Sequence, residues 1–357
     1  MRIECEENPV LQKDMEDIAN GSVPFSEMSG KTVLVTGATG LIGSQILRAL
    51  ACRNRLYGEN IHMMALVRNR EKAEKMFAPL LERGELRLLV GDITQPLTVE
   101  GPVDFILHGA SATSSQYFVS HPVETIFTAI DGTRNLLQLA VDKKVQGFVY
   151  LSSLEVYGTP APDAGLIDES YSGYLDCMQV RSSYSEGKRM VECLCASYAS
   201  EYGVPVKVAR LSQTFGPGVE YHDGRVFAEF ARCAIEKRDI VLHTAGNTVR
   251  SYCYTKDAVN ALLYILLRGE CGQAYNVTNM DTAVSIREMA QMVCDLFPES
   301  GIQLQFDMPK DLASFGYNPE MVIRLDSRKL QSLGWKAETG LEDMFRRLIE
   351  SMAHTKC

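Results

Sequence analysis

Three evenly spaced glycines that follow a short apolar run constrain the fold of this chain most. Residues 33–36 are Val-Leu-Val-Thr, and the three glycines come directly before a helical pattern. A strand, a tight turn and a helix start in this order bring free backbone N–H groups and the positive end of a helix dipole to one point, and glycine lets a diphosphate approach it closely. The alternative is a loop that merely needs positive φ. The segment predicts a dinucleotide site lined by Gly37, Thr39, Gly40, Leu41, Ile42 and Gly43.

Apolar segments alternate with helical segments after this turn. Strands are predicted at 61–67, 86–90, 103–108 and 147–151, with a helix at about 122–142. This alternation predicts an α/β fold built on a doubly wound parallel sheet.

Three regions are expected along the chain. Residues 1–30 predict a helical extension, because Asn8 and Pro9 resemble a helix cap followed by proline in the first turn. A dinucleotide-binding domain is expected at 31–211. Residues 212–357 leave the repeat and predict a smaller, mainly substrate-binding portion, some segments of which could return to the sheet.

Composition excludes several classes of partner. The net charge is −9 and no long basic run occurs, which argues against binding to nucleic acid or to a membrane surface. No apolar stretch reaches the length of a membrane span, and no signal-peptide pattern is present. Ten scattered cysteines without a CxxC pair predict reduced thiols in a cytoplasmic protein, and the six histidines predict no metal site.

The residue after the second predicted strand indicates which dinucleotide, NAD or NADP, the chain binds. An acidic residue there binds the ribose hydroxyls of NAD, but this chain has Arg68, whose guanidinium can pair with a 2′-phosphate. NADP is therefore favoured; the alternative is that Arg68 stacks on adenine or lies in solvent while NAD is bound. Further cofactor contacts are expected after the third and fourth strands, from Asp92, Ile93, Gly109, Ala110 and Ser111.

The end of the fifth strand and a later helix supply groups for acid–base chemistry. Tyr184 and Lys188 are four residues apart, on one face of a predicted helix, and Ser153 ends the fifth strand. Tyrosine is a poor base at neutral pH, but a nearby ammonium group and a cationic nicotinamide favour its phenolate form. A serine hydroxyl can complete the hydrogen bonding to the substrate oxygen. These groups are suited to remove a proton from an alcohol while its hydride leaves.

The chain resembles an extended short-chain dehydrogenase/reductase of the nucleotide-sugar epimerase/dehydratase group. The resemblance covers roughly residues 31–350, including the segments 153–158, 181–189, 210–217 and 250–257. It implies a Rossmann fold, a nucleotide-diphosphate sugar as substrate, and a homodimer formed through helices at about 117–142 and 182–202. It also implies catalytic roles for Ser153, Tyr184, Lys188 and Glu155, of which Tyr184 and Lys188 also contact the cofactor. Substrate contacts are implied for Ser153, Gln213, Arg225, Val226 and Arg250.

Two of these implied roles have alternatives. Arg250 falls where the family clamps the sugar diphosphate, but it could instead form a salt bridge with Asp257. Glu155 could shuttle a proton at C5 or position a uronate, or it could be a structural carboxylate that binds backbone.

Within the group, the segments 153–158, 181–189 and 223–226 look most like those of UDP-glucuronate decarboxylases. The chain departs from its relatives at Leu154, where dehydratases use an aspartic acid and decarboxylases usually a serine, and at Ala129 and Gln213, where the family has asparagine. Dehydration is disfavoured because leucine has no proton to give, and decarboxylation is weakened too because the usual serine is missing. Epimerisation by transient oxidation at C4 is expected, with uronate decarboxylation next. An NADP-dependent carbonyl reductase and a dinucleotide-sensing regulator are the remaining alternatives.

Overall fold

The computed structural model describes residues 2–111, 115–308 and 320–354. The strands in these residues are β1 (Thr32–Thr36), β2 (His62–Val67), β3 (Leu86–Val90), β4 (Phe105–His108), β5 (Gly147–Ser153), β6 (Leu166–Ile167), β7 (Val206–Leu211), β8 (Gln213–Phe215), β9 (Ile240–Leu242), β10 (Val249–Tyr254), β11 (Ala274–Val277), β12 (Asn279–Ser285), β13 (Leu304–Phe306) and β14 (Val322–Leu325).

The α-helices are α1 (Pro9–Asn20), α2 (Leu41–Tyr57), α3 (Arg70–Met76), α4 (Ala78–Glu82), α5 (Ser115–Ser120), α6 (Pro122–Lys143), α7 (Ser182–Tyr202), α8 (Val226–Glu236), α9 (Thr255–Arg268), α10 (Ile286–Leu296), α11 (Arg328–Gln331) and α12 (Leu341–His354). Short 3₁₀ helices cover Phe25–Met28, Leu154–Tyr157 and Pro298–Ser300.

The larger sheet has seven parallel strands in the order β11-β7-β5-β4-β1-β2-β3. Alternate residues of a strand point to opposite faces, so Val33 and Val35 pack with α2 and α9 while Leu34 packs with α6 and α7. Helices therefore cover both faces of a parallel sheet, which confirms the predicted doubly wound α/β fold.

The direction of winding reverses between β1 and β4. The chain proceeds from β1 through β2 to β3 and then crosses to the other side of β1 to form β4. In open α/β sheets the crevice at such a switch point, outside the carboxyl ends of the strands, is where ligands bind. The glycine turn after β1 and the loop after β4 both lie at this crevice.

C-terminal segments contribute to both parts of the molecule. Strand β11 joins the larger sheet beside β7, and α9 packs on that sheet. The smaller sheet contains β12-β10-β14-β6, with β8 beside β10, and β9 pairs with β13. Strand β6 comes from the 31–211 range, so each part takes a strand from the sequence range assigned to the other.

The N-terminal extension forms α1, which packs on the larger body. Asn8 caps the helix and Pro9 is its first residue, as the sequence predicts. Asp14 on α1 is fully buried, accepts a hydrogen bond of 2.6 Å from the Tyr254 hydroxyl and pairs with Arg347 of α12. Burial raises the pKa of Asp14 to about 6, against the opposing effect of those two partners. The extension thus joins α12 to the end of β10.

The described part of the chain offers no metal cluster of three or more histidine, cysteine, aspartate or glutamate side chains. Its nine cysteines are free thiols, and six of them are buried. Among the described helices, none combines the length and apolar character needed to cross a membrane.

Candidate active site

The glycine turn after β1 packs backbone against backbone with the loop after β4. Gly37 has a φ of 66°, and a Cβ atom there would lie 2.6 Å from the carbonyl carbon of Gly109 and 2.8 Å from the nitrogen of Ala110. A Cβ atom on Gly43 would lie 2.3 Å from the Gly37 oxygen. Neither position has room for a side chain, so the turn can keep this shape only with glycine.

Helix α2 begins at this turn without a side-chain cap. Gly40 is its N-cap residue, and Leu41, Ile42 and Gly43 form its first turn, with Thr39 just before them. The first N–H groups of a helix have no partner within the helix, and the dipole adds positive potential there. This narrow, uncapped turn fits the diphosphate of a dinucleotide.

The residues predicted near the adenosine part lie at the ends of β2 and β3. Arg68 is exposed, and it forms no hydrogen bond or ion pair with the rest of the described chain. Asp92 accepts hydrogen bonds of 2.9 Å from the nitrogen and hydroxyl of Thr94, which lower its pKa together with a smaller effect of Arg68. The Ile93 side chain packs under Gly132 of α6, so a cofactor can reach Ile93 only through its backbone.

A buried histidine that the sequence did not single out holds the loop after β4. The two ring nitrogens of His108 lie 2.7 Å from the Thr36 hydroxyl and 3.0 Å from the Thr133 hydroxyl. The Thr36 oxygen accepts from the Ala110 N–H and Thr133 donates to the Ala129 carbonyl, so the network assigns the ring proton to Nε2. Burial lowers the pKa of His108 to about 3, which keeps the ring neutral. Ser111 is the last described residue of this loop.

The structure brings Ser153, Tyr184 and Lys188 together at the carboxyl end of β5. The Ser153 side chain lies close enough to Tyr184 to favour its phenolate form. The Lys188 Nζ atom donates a hydrogen bond of 2.8 Å to the Leu151 carbonyl and lies 5.6 Å from the centre of the Tyr184 ring. These three side chains can therefore act on one substrate oxygen.

Burial shifts both titrating groups of this constellation. Burial, followed by the Glu155 carboxylate, raises the pKa of Tyr184 to about 12, and the nearby Ser153 side chain opposes this shift. Burial also lowers the pKa of Lys188 to about 8, and Glu192 opposes that shift. Without a further positive charge, Tyr184 is a neutral phenol at pH 7 and Lys188 is mainly protonated. A cation bound beside them favours the phenolate.

Glu155 is fixed beside Tyr184 by two side chains. Its oxygens accept hydrogen bonds of 2.8 Å from Arg181 and 3.0 Å from the Ser185 hydroxyl. The Arg181 guanidinium also lies 5.1 Å from the centre of the Phe118 ring, which stacks on the Tyr184 ring at 4.2 Å. The carboxylate is thus bound by side chains, and the backbone-binding alternative from the sequence is not what the structure has.

Apart from Ser153 on β5, the residues predicted to bind substrate lie on the smaller part of the molecule. Gln213 on β8 is in register with Tyr252 on β10. Arg225 is already paired with the Asp223 carboxylate, through contacts of 3.0 Å and 2.6 Å, and Val226 begins α8 directly after it. Arg225 would have to share or exchange this partner to bind an anionic substrate.

Arg250 on β10 is half-buried and has no carboxylate partner in the described residues. Its guanidinium lies 3.5 Å from the Met321 sulfur. The alternative salt bridge to Asp257 is absent, because Asp257 instead accepts from the backbone nitrogens of Glu338 and Thr339, at 3.1 Å and 3.0 Å. Arg250 is therefore available to an anionic group of a ligand.

Residues 33–278 match the model of the NAD dependent epimerase/dehydratase family. The chain belongs to this family.

Two relatives and one solved structure illustrate the range of the family. UDP-glucuronic acid decarboxylase 6 of Arabidopsis thaliana is 31% identical over 317 residues, which are 88% of this chain and 87% of the relative. The dTDP-D-glucose 4,6-dehydratase of Mus musculus is 27% identical, covering 90% of this chain and 88% of the relative. The crystal structure of UDP-glucose 4-epimerase from Thermotoga maritima superposes with a TM-score of 0.75 at 18% identity, covering 91% of this chain and all of that one, and shows the shared fold.

Leu154 stands where the dehydratases of this family use an acid. Its side chain is only 2% exposed and packs in an apolar cluster with Val156, Ile323 and Leu325. Ile323 is in register with Arg250 in the smaller sheet. Leu154 therefore contributes to the core between the two sheets, and it places the turn with Ser153 and Glu155 close to the strand that carries Arg250.

Several residues of this epimerase/dehydratase site were not assigned roles from the sequence: His108, Phe118, Arg181, Glu192 and Arg210. The sequence could have indicated Glu192, because it follows Lys188 by one helical turn. His108 gave a weaker indication, as a polar residue that ends an otherwise apolar strand. Phe118 gave none, since its contact with Tyr184 joins elements that are distant in the sequence.

Proposed function

We propose that this chain decarboxylates a nucleoside diphosphate uronate, UDP-glucuronate being the first candidate, through transient oxidation at C4. The proposal rests on Ser153, Tyr184 and Lys188 meeting beside a turn that fits a dinucleotide. The buried Leu154 leaves no acid to expel water, which disfavours dehydration. A decarboxylase 31% identical to this chain supports the choice of reaction.

Tyr184, as the phenolate, takes the proton of the C4 hydroxyl, while Ser153 holds the oxygen and Lys188 stabilises the phenolate. A dinucleotide held at the turn of Gly37, Gly40 and Gly43 would supply the hydride acceptor at C4 and the hydride donor for the closing reduction. The resulting ketone is β to the carboxylate, so the bond between C5 and the carboxyl carbon breaks with loss of CO₂ and its electron pair moves toward the ketone oxygen. Ser153 and Tyr184 hydrogen-bond to that oxygen. C5 then takes a proton from solvent, and Tyr184 returns its own proton to the C4 oxygen when C4 is reduced.

Two charged residues are assigned to holding the substrate. Arg250, a guanidinium without a carboxylate partner in the described residues, suits the diphosphate through paired N–H contacts. Glu155 already accepts hydrogen bonds from Arg181 and Ser185, which suits it to orient the sugar as an acceptor rather than to release a proton.

Epimerisation at C4 is the second candidate. The Ser153, Tyr184 and Lys188 set is complete for removing and returning a proton, and epimerisation needs only that the ketone present its other face before the hydride returns. No acid at position 154 is required for it.

Incubation of the purified protein with UDP-glucuronate, UDP-glucose and UDP-galactose, followed by NMR of the products, separates these candidates. We expect a UDP-pentose and CO₂ from the uronate, with no net consumption of dinucleotide. Interconversion of the hexoses would favour epimerisation. Net oxidation of NADPH by a non-nucleotide carbonyl compound, with no sugar turned over, would contradict both.

We further propose that Arg68 makes NADP an acceptable cofactor. Replacing Arg68 by alanine should weaken NADP⁺ binding about tenfold and leave NAD⁺ binding nearly unchanged, because only the former has a 2′-phosphate for the guanidinium. Calorimetric titration of both dinucleotides measures this. Arg70→Ala is the matched control, since Arg70 is exposed but paired with Glu74. Equal weakening of both dinucleotides by Arg68→Ala would count against the assignment.

A homodimer formed through α5, α6 and α7 is also proposed. Val119, Val123, Phe127 and Met190 lie on these helices, and each is more than half exposed. Phe127→Glu should halve the molar mass measured by light scattering, because a charge would be buried in the interface. Val241→Glu, an exposed apolar position on β9, should leave the mass unchanged. A monomeric wild-type protein would refute this.

The free thiols support a reducing, cytoplasmic location.

A further inference from the structure

Helix α7 carries a third ionisable side chain on the face of Tyr184 and Lys188. Glu192 follows Lys188 by four residues and so lies one turn further along the same face. Its side chain is only 12% exposed and forms an ion pair with Arg210 of β7, whose Nη2 atom lies 2.7 Å from a Glu192 oxygen. The Ser152 hydroxyl donates a further hydrogen bond of 2.5 Å to Glu192.

Three successive residues of β5 contact three turns of α7. The Leu151 carbonyl accepts from Lys188 and the Ser152 hydroxyl donates to Glu192. The Ser153 side chain lies near Tyr184 and opposes the rise of its pKa that burial causes. The ion pair is therefore attached to the same strand end and the same helix face as the proton-transfer groups. Arg210 is held in turn by the Tyr157 hydroxyl at 3.0 Å and the Glu169 carbonyl at 2.8 Å, so the carboxylate has a fixed position.

The other titratable groups around Lys188 are uncharged at neutral pH. The Lys188 Nζ atom lies 4.6 Å from the centre of the Tyr150 ring on β5, and burial raises the pKa of that hydroxyl. Burial likewise raises the pKa of Cys195 on α7 and lowers that of His108 on β4. Tyr184 is a phenol in the absence of a bound cation. Among the described residues, Glu192 is thus the ionised group of opposite sign whose field acts on Lys188.

We propose that Glu192 is a positioning residue that keeps Lys188 protonated, with Arg210 and Ser152 fixing its carboxylate. The inference rests on the proposed function, in which a charged Lys188 stabilises the Tyr184 phenolate. Without the carboxylate, burial acts on the ammonium group unopposed. Arg210 partly neutralises Glu192, so the effect on Lys188 is moderate.

The sign of the pH effect follows from the charge that is removed. Lys188 is active when protonated, so kcat falls as pH rises through its pKa, which burial lowers to about 8. Glu192→Gln removes the opposing negative charge, and Lys188 then loses its proton at lower pH. We expect the alkaline limb of kcat to move by about one pH unit toward acid, as for one partly neutralised charge one helical turn away.

The test is a pH titration of Lys188 by NMR, in the full-length protein with ¹³C-labelled lysine. The Lys188 signal is assigned as the one that Lys188→Arg removes. The pH profile of kcat is measured in parallel. Glu192→Gln should move both midpoints toward acid. Glu192→Asp keeps the charge but withdraws it by one methylene group, so it should move both midpoints in the same direction by a smaller amount. Glu201→Gln removes a charge from the exposed end of the same helix and should move neither.

Activity lost with an unmoved Lys188 titration would overturn the inference, because a purely structural role predicts that result. Should Glu192→Gln fail to fold, Glu192→Asp still decides, since an unchanged midpoint with the carboxylate displaced would contradict the assignment. The titration is also independent of turnover. If no nucleotide sugar reacts, the proposed function fails, yet the shift of the Lys188 midpoint still reports whether Glu192 sets its charge.

Discussion

Replacing Tyr184 by phenylalanine should lower kcat for the nucleotide sugar by about 10³-fold. Positioned acid–base groups contribute about 10²- to 10⁴-fold, and this variant removes the group that takes and returns the proton. Phenylalanine keeps the stacking of the ring on Phe118, at 4.2 Å, so the fold should be retained. Substrate affinity, measured by calorimetry, should change by less than about threefold, because most of the substrate contacts lie elsewhere.

Tyr198→Phe is the matched control for this experiment. Tyr198 lies on the same helix and packs against Tyr202 with tilted rings, away from the end of β5. Its loss of a hydroxyl should leave kcat within about twofold of the wild type. If Tyr184→Phe kept a tenth or more of the activity, another group would have to be the base, and a regulator that only senses the dinucleotide would gain support.

The parts of the site that depend on backbone geometry were predictable from the sequence. The three spaced glycines predict the turn, because its backbone leaves no room for side chains. The spacing of four residues places Tyr184 and Lys188 on one helix face. The strand end at Ser153 follows from an apolar run. Each of these signals is local, and a parallel sheet then brings the carboxyl ends of its strands to one edge.

Contacts between side chains from distant segments were not predictable in the same way. The stacking of Phe118 on Tyr184 and the pairing of Glu192 with Arg210 depend on how helices and strands dock. The pairing of Arg225 with Asp223 is local, but the motif alone does not show that the two side chains bind each other. The sequence allowed for segments such as β11 to return to the larger sheet, but it did not indicate that β6 joins the smaller one. Strand β6 is short and pairs with β14 from the other range.

Leu154 illustrates how the structure adds a physical reason to a sequence argument. The residue type alone removes an acid from the dehydratase position. Its burial against Ile323 adds that an aspartate introduced there would be desolvated within an apolar cluster. A single substitution at Leu154 is therefore a poor route to a dehydratase, and the packing of the two sheets contributes to restricting the chemistry.

Replacing Gly37 by alanine should weaken dinucleotide binding by at least about 100-fold, through the backbone of the turn itself. A Cβ atom at this position would lie 2.6 Å from the Gly109 carbonyl carbon, and both neighbours are backbone that cannot rotate away. The φ of 66° adds strain of about 1 kcal/mol for any residue with a side chain. The turn must therefore separate from the loop after β4, which displaces the first N–H groups of α2 from the diphosphate. Fluorescence titration with NAD⁺ and NADP⁺ measures the loss of affinity, and thermal unfolding measures the loss of stability.

Gly58→Ala is the control that separates the backbone strain of a positive φ from the crowding of a Cβ atom at Gly37. Gly58 ends α2 with the same φ of 66°, but a Cβ atom there would meet nothing within 4 Å. This variant should therefore show the strain alone, a small fall in stability with unchanged affinity for the dinucleotide. Similar affinity in both variants would mean that the contact between the turn and the loop after β4 is not needed for binding. A large loss confined to Gly37→Ala would instead tie cofactor binding to the close approach of two backbone segments at the switch point of the sheet.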